Sequence, residues 1–235
     1  MHPHLILIRH GHAHSNAAGV AGGLNGCAGL TDLGTWQARQ LAAHLARQTS
    51  FGQAPPAIYA SPSRRARQTA DIVGAALNVD VTEVPDLRDP DYGDGDGRPW
   101  EEILDQFPGD PSTRLDEPLL PGAEPWPAYL QRTWTALDAI IDTALPAVVV
   151  GHAETVKAAF HRFLGGPPNQ RMPIKVMVDN TAVTRWQLIP PRVEGGLPRW
   201  MLLTHNDTTH LAERAPLPGS NGAGASAWMS KRRPH

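Results

Sequence analysis

The chain has 235 residues, of which 41% are hydrophobic and 19% charged, so it is long enough to bury a sizeable core without cross-links. Its formal net charge of -2 gives no reason to expect nucleic acid or an anionic membrane surface as a partner. The single cysteine, Cys27, excludes an intrachain disulfide, and no segment has the length and apolarity of a transmembrane helix or a signal peptide. We therefore expect a cytoplasmic protein.

The first predicted element is an apolar run of branched residues over 5–8, which is long enough for a buried strand and too short for a helix. Arg9 and His10 follow it directly. In an open α/β sheet, ligands bind outside the carboxyl ends of the strands. A guanidinium matches the geometry of phosphate or carboxylate, and a neutral imidazole is a competent nucleophile. Both residues are candidates for handling an anionic substrate, although the same pair can simply end a strand at the surface.

The same arrangement recurs after residues 57–60, which form a second predicted buried strand. A basic cluster follows at the start of a predicted helix and contains Arg64, Arg65 and Arg67. The backbone N–H groups and the dipole of a helix N-terminus add to the attraction for an anion. Because a run of charges is usually a solvated face, we expect only one of the three arginines to point inward.

An acidic, glycine-rich stretch over residues 86–97 carries five aspartates. They are Asp86, Asp89, Asp91, Asp94 and Asp96. A calcium loop is one interpretation, but the spacing does not fit a twelve-residue EF-hand loop. The alternative is that one carboxyl group lies beside bound phosphate, where its anionic form is disfavoured and it can donate a proton.

The strongest strand signal is residues 147–150, and His152 follows it as a second histidine at the carboxyl end of a core strand. Helices are predicted from Thr31 or Asp32, over 100–107 and over 128–144. Strands over 182–189 and 199–204 predict an antiparallel hairpin at a sheet edge. We expect one catalytic domain over residues 1–211 and a flexible tail over 212–235.

Several motifs, taken in order, resemble those of the histidine phosphatase superfamily, the phosphoglycerate mutase-like family. They are Arg9-His10-Gly11 with Asn16, Leu30-Thr31-x-x-Gly34-x-x-Gln37-Ala38, Ala60-Ser61-Pro62-x-x-Arg65-Ala66-x-Gln68-Thr69-Ala70, Gly151-His152, and Asn206-Asp207 with His210-Leu211. Each is weak alone, but the ordered set is highly specific and extends from residue 5 to about residue 211.

The resemblance implies an α/β fold with three layers, helix–sheet–helix, around a mostly parallel sheet that has an antiparallel edge strand. The strands over 4–8, 57–60 and 147–151 should lie centrally because they are the most apolar.

For the site, the resemblance implies that His10 takes the phosphoryl group and that Arg9, Arg65 and His152 bind its oxygens. Asn16 adds a hydrogen bond, and a carboxylic acid protonates the leaving oxygen.

Two positions depart from the family pattern. His12 stands where glutamate is usual, and we assign it no essential role. The segment Leu87-Arg88-Asp89 resembles the part of the family that supplies the acid, but Asp89 replaces a glutamate and is one methylene shorter. Asp89 is our choice for the proton donor, and Asp91 and Glu154 remain rivals.

We expect a metal-independent phosphomonoester hydrolase, similar to histidine acid phosphatases, that needs no cofactor and acts on a small phosphorylated substrate through phospho-His10. A phosphoglycerate mutase-type phosphotransferase is less favoured because the segment after Asp89 is acidic and poor in lysine. A non-catalytic phospho-ligand binding module is a further alternative. A zinc hydrolase built on His10, His12 and His14 would leave the ordered motifs unexplained.

The sequence does not identify the preferred phosphomonoester. The acidic stretch and the proline-rich connection over 108–127 are expected to cover the site and set that preference. The oligomeric state stays open, with a homodimer among the options.

Overall fold

The computed structural model describes residues 3–23, 26–47, 56–193 and 195–212. Its strands are β1 (His4–Arg9), β2 (Ala57–Ala60), β3 (Val81–Glu83), β4 (Ala147–Gly151), β5 (Val183–Ile189) and β6 (Arg199–Asp207). Its α-helices are α1 (His14–Ala18), α2 (Asp32–Arg47), α3 (Arg64–Leu77), α4 (Trp100–Gln106), α5 (Trp126–Ala144) and α6 (Ala153–Phe163). Short 3-10 turns cover Pro85–Leu87, Gly93–Gly95, Pro111–Thr113 and Thr209–Leu211.

The six strands form one mixed sheet in the order β3-β2-β4-β1-β5-β6. Strands β1 to β4 are parallel to one another, whereas β5 pairs antiparallel with β1 and with β6. The prediction that the three most apolar strands lie centrally is confirmed. The predicted antiparallel hairpin is formed by β5 and β6. The strand that runs against β1 is β5, which lies one place in from the edge of the sheet. Strand β6 ends at Asp207, three residues beyond the predicted end at residue 204.

Alternate residues of β1 face opposite layers of helices. Leu5 and Leu7 pack in one core cluster with side chains of α5 and α6, whereas Ile6 and Ile8 pack in another with α2 and α3. A strand covered on both faces has to be apolar at every position, which explains the unbroken hydrophobic runs in β1 and β4. The three-layer architecture expected from the sequence is confirmed.

The topology places the segments that carry His10, Arg65 and His152 at one edge of the sheet. The parallel strands β1 to β4 all end there. Because β5 runs in the opposite direction, the loop that precedes it, residues 178–182, lies at the same edge. Segments that are far apart in sequence therefore meet around the end of β1.

One short helix was not expected. Helix α1 spans His14–Ala18, and Gly19, whose φ of 67° lies in the left-handed region, terminates it. Asn16 Oδ1 accepts the backbone N–H of Ala13 at 3.0 Å and so caps the helix start. No helix within the described ranges is both long and apolar enough to cross a bilayer. The tail expected over 212–235 lies, beyond Ala212, outside the described residues.

Candidate active site

One buried guanidinium, that of Arg65 at the start of α3, connects residues from three other segments. Its Nε donates to His10 Nε2 at 3.0 Å, and its Nη2 lies 3.1 Å from His152 Nδ1 and 2.8 Å from Asp89 Oδ2. Arg65 is only 2% exposed, whereas Arg64 is exposed and Arg67 is partly exposed. The expectation that a single arginine of the cluster points inward is confirmed.

His10 is arranged as a neutral imidazole whose lone pair is on Nε2. Its Nδ1 lies 2.7 Å from the carbonyl oxygen of Gly11, which can only accept, so the ring proton is on Nδ1. Nε2 then accepts from Arg65. Burial, followed by the positive charges of Arg65 and Arg9, lowers the pKa of His10 well below its usual value, because each disfavours the imidazolium.

His152, the first residue after β4, has the opposite tautomer. Its Nδ1 accepts from Arg65, so the ring proton is on Nε2, which lies 2.8 Å from Ser61 Oγ and 3.2 Å from Ser63 Oγ. Burial and then the charge of Arg65 lower the pKa of His152 well below its usual value. The rings of His152 and His10 are 5.3 Å apart, edge to face. Ser61 and Ser63 were not chosen from the sequence, although Ser61 belongs to a quoted motif.

The carboxyl groups of Asp89 and Glu154 have pKa values that shift in opposite directions. Burial and then the charge of Glu154 raise the pKa of Asp89 to about 7, even though Arg65 opposes the shift. Burial also works against the ionised form of Glu154, but Lys157, 2.9 Å away, and Arg9 outweigh it and hold its pKa below the usual value. Near neutral pH, Asp89 can therefore carry a proton while Glu154 is ionised.

Asp91, the third candidate for the proton donor, lies elsewhere. Its carboxylate is exposed and accepts the backbone N–H of Gly93 at 3.0 Å. It lines neighbouring cavities but not the cleft that contains His10.

Arg132 of α5 fixes the backbone that carries Asp89. Its guanidinium donates to the carbonyl oxygens of Asp86, Arg88 and Asp89 at 2.8 to 3.0 Å, and it forms a bidentate ion pair with Glu124. Only the tertiary fold brings Arg132 to Asp89, across 43 residues of sequence. Sequence reasoning missed this residue because nothing near it in the chain indicates the contact.

The loop before β5 holds the segment after β1. Arg9 Nη1 donates to the carbonyl oxygen of Val178 at 2.6 Å, and Asn180 Nδ2 donates to the carbonyl oxygen of His10 at 3.1 Å. Asn180 Nδ2 also lies 3.4 Å from Asn16 Oδ1. Within the described part of the chain, no acceptor pairs with the buried Nε of Arg9, which leaves one donor available to an anion. Asn180 was not predicted, and no motif quoted from the sequence contains it.

The C-terminal motif, which contains Asn206 and His210, forms hydrogen bonds with the loop over residues 178–182. Asn206 exchanges two hydrogen bonds with Asp179, at 2.7 and 2.8 Å. His210 Nε2 lies 3.0 Å from Thr181 Oγ1, and the backbone N–H of Thr181 donates to the carbonyl oxygen of Arg9. These motif residues therefore act on the site through the loop.

The glycines of the first two motifs are explained by a close approach of two backbones. A Cβ added to Gly11 would lie 2.5 Å from the carbonyl oxygen of Gly34, a separation that no side chain tolerates.

The site opens into a cleft of about 350 Å³. Five of the six residues predicted for the site line it, namely Arg9, His10, Asn16, Arg65 and Asp89. His152, the sixth, is not among the lining residues and is connected to the cleft through Arg65. Glu154 and Lys157 complete the charged part of the wall.

The residues of the two metal-site alternatives do not come together. His12 Nδ1 lies 3.0 Å from Thr31 Oγ1, and His14 is exposed. Asp96 Oδ1 accepts the backbone N–H groups of Gly23 and Gly26 at 2.7 and 3.2 Å. Over residues 3–23, 26–47, 56–193 and 195–212, no group of three or more His, Cys, Asp or Glu side chains is placed to hold a metal ion.

Comparison with known proteins gives the same family as the motifs. Residues 5–194 match the model of the histidine phosphatase superfamily (branch 1). An uncharacterized phosphatase, PhoE, from Bacillus subtilis is 25% identical over 88% of this chain and 96% of its own length. A phosphoglycerate mutase-like protein from Arabidopsis thaliana is 27% identical over 89% of this chain and 87% of its own.

A solved structure has the same fold. The mycobacterial glucosyl-3-phosphoglycerate phosphatase complexed with VO3 superposes with a TM-score of 0.71, is 24% identical, and covers 87% of this chain and 99% of its own. The family match extends over most of the chain and includes the segments that meet around Arg65. The protein belongs to the histidine phosphatase superfamily.

Proposed function

We propose that this protein is a phosphatase that hydrolyses phosphomonoesters through a phosphohistidine intermediate on His10, without a metal ion. The observation that carries the proposal is the position of a neutral His10, with its lone pair on Nε2, beside Arg65 and a carboxyl group whose pKa is raised to about 7. These are a nucleophile and a proton donor that both contact one anion-binding group, Arg65.

In the first half-reaction, Nε2 of His10 attacks phosphorus and the bond from phosphorus to the ester oxygen breaks. Asp89 gives its proton to that oxygen, so the leaving group departs as a neutral alcohol. Arg9 and Arg65 bind the phosphoryl oxygens, over which negative charge is spread in the transition state, and Asn16 adds a hydrogen bond. His152 lies behind Arg65, and its Nδ1 accepts from Nη2 of Arg65, so His152 acts on the phosphoryl group by holding that guanidinium in place.

In the second half-reaction, water attacks the phosphorus of phospho-His10. Asp89, now a carboxylate, takes a proton from that water, and the bond between phosphorus and Nε2 breaks. Inorganic phosphate leaves, and His10 and Asp89 return to their starting protonation states.

Hydrolysis is favoured over a mutase reaction by the cations available. Arg9 and Arg65 suffice for one phosphoryl group, and Lys157, the remaining cation in the wall of the cleft as described, is bonded to Glu154. A mutase has to hold a second phosphate as well. The relatives carry phosphatase and mutase-like names, so our proposal of hydrolysis rests on this charge argument.

We also propose residues 1–211 as one catalytic domain, because the last supporting contact of the site comes from His210. The single cysteine of the chain favours a reducing compartment, and we propose the cytoplasm.

The test is release of phosphate from a panel of phosphomonoesters by metal-stripped protein, with H10A and H14A variants alongside. His14 is exposed four residues away and serves as the control. We expect metal-independent turnover and an acid-labile phosphoprotein in the wild type and in H14A, and neither in H10A. A requirement for added divalent metal, or turnover that survives H10A, would overturn the proposal. Phosphate binding without turnover would favour the binding module instead.

A further inference from the structure

A second cavity of about 260 Å³ adjoins the catalytic cleft. Tyr92, Trp100 and Glu154 belong to the walls of both, so the two spaces meet beside the proposed phosphate site. Most of the remaining wall of the second cavity is apolar and includes Leu115, which precedes α5, and Trp126, the first residue of α5. We call this space the leaving-group cavity.

Aromatic packing fixes the walls of the leaving-group cavity. Tyr92 and Trp100 pack edge to face with ring centroids 5.1 Å apart, and Trp126 stacks on Tyr129 at 5.1 Å. Tyr92 and Trp100 also belong to a small hydrophobic cluster with Ile103. A site formed from packed rings is largely preformed, which suits recognition of an apolar group.

The cations in and beside the cavity are already paired. Arg114, the single cation in its described wall, forms an ion pair with Glu117, and Glu124 forms one with Arg132. At the junction with the cleft, Lys157 is bonded to Glu154. No spare cation is therefore available, within the described wall, for a carboxylate on the alcohol part of a substrate, and the carboxylates of the wall would repel one.

We propose that this cavity binds the alcohol portion of the substrate and that the preferred substrates are phosphomonoesters of uncharged aromatic or branched alkyl alcohols. This inference rests on the proposed phosphatase activity. With phosphorus next to His10, the ester oxygen faces Asp89, and the group attached to it extends past Tyr92 into the apolar space. Removal of that group from water supplies the binding energy.

The substrate preference is tested with a matched pair of esters, benzyl phosphate and 4-carboxybenzyl phosphate. Both release a primary alcohol, and they differ by one remote carboxylate. The wild type should prefer benzyl phosphate by roughly tenfold or more in kcat/KM, as expected for burial of one aromatic ring opposed to burial of a charge. The difference should lie in KM.

The variant L115K adds a cation to the cavity, and L164K is the control because Leu164 is 60% exposed and lies outside the cavity. L115K should raise the KM for benzyl phosphate and lower that for the carboxylated ester. L164K should retain the wild-type ratio. Equal use of the two esters by the wild type, with no change of ratio in L115K, would overturn the inference while the phosphatase activity stands.

A binding measurement separates this inference from the phosphatase proposal. Calorimetric titration with benzylphosphonate and 4-carboxybenzylphosphonate, which cannot be hydrolysed at an ester bond, should give the same order of affinities and the same reversal in L115K. That result without turnover of either ester would reject the phosphatase activity and support the cavity as a ligand site. Equal affinities for the two phosphonates would reject the leaving-group cavity as the binding site for the alcohol portion of the substrate.

Discussion

Arg65 and Asp89 form an ion pair of 2.8 Å, and the two side chains are only 3% and 12% exposed. The residue that we propose to bind the phosphoryl group thus also holds the proposed proton donor. When a dianionic substrate enters, Arg65 gains a stronger partner and Asp89 loses part of the interaction that favours its carboxylate. Substrate binding should therefore favour the protonated form of Asp89, which is the form that the first half-reaction uses.

The variant R65K should lose most of the activity although the positive charge is retained. An ammonium cannot direct separate donors to His10, His152 and Asp89 as the guanidinium fork does. We expect kcat/KM to fall by about 10²- to 10³-fold, the range seen when one preorganised transition-state donor is removed. R67K is the control, since Arg67 lies two residues on and pairs with Asp71 and Glu83 at the surface. Equal losses in the two variants would contradict the role given to Arg65.

The pH dependence should follow the protonation of Asp89. The general acid is active when protonated, so kcat/KM for an alkyl phosphate should fall as pH rises through about 7, the pKa of Asp89. His10 should not limit activity on the acidic side until well below its usual pKa, because burial and Arg65 keep it neutral. Initial rates from pH 5 to pH 9 measure both limbs, if the ionisation of the substrate itself is taken into account.

The variant D89N tests the same residue by leaving-group dependence. Without a proton donor, turnover of an alkyl phosphate should fall by about 10²- to 10⁴-fold, whereas that of 4-nitrophenyl phosphate, whose anion leaves unaided, should fall much less. D91N should retain the wild-type ratio of the two rates. If E154Q instead shows this selective loss and D89N does not, Glu154 is the acid.

Much of the fold follows from sequence because local patterns and burial agree. The runs over 5–8 and 147–150 are apolar at every position, and this is what strands covered on both faces require. The helix α1 escaped prediction for a physical reason. It has only five residues and is defined by Asn16 and Gly19 rather than by hydrophobic periodicity.

The site was predictable where residues follow a strand directly and not where the fold brings distant segments together. His10, Arg65 and His152 come just after β1, β2 and β4, so their convergence follows from parallel strands. Arg132 and Asn180 reach the same place from a helix face and from the loop before a reversed strand. Neither location is marked by a local pattern in the sequence.

Arg132 should act as a positioning residue for Asp89. R132K keeps one charge but cannot hold three backbone carbonyl oxygens and Glu124 at once. We expect kcat to fall by roughly tenfold and the alkaline limb of the pH profile to move, because Asp89 shifts relative to Glu154. R162K, which alters a surface pair with Asp138, provides the control. An unchanged pH profile in R132K would show that the contact serves stability alone.

The two histidines of the site should carry opposite tautomers. The carbonyl oxygen of Gly11 requires the proton of His10 on Nδ1, and donation from Arg65 to Nδ1 of His152 requires its proton on Nε2. Nitrogen-15 chemical shifts and ring couplings report the protonation of each nitrogen, and the variants H10Q and H152Q assign the signals. At pH 7 we expect two neutral rings, one of each tautomer.

The variant S61A tests the tautomer of His152. It should weaken the preference of His152 for a proton on Nε2, because Ser61 accepts that proton at 2.8 Å and Ser63 remains as a poorer acceptor at 3.2 Å. Two rings with the same tautomer, or a protonated imidazolium at either position, would contradict the hydrogen-bond assignment from which the nucleophilic role of His10 Nε2 is derived.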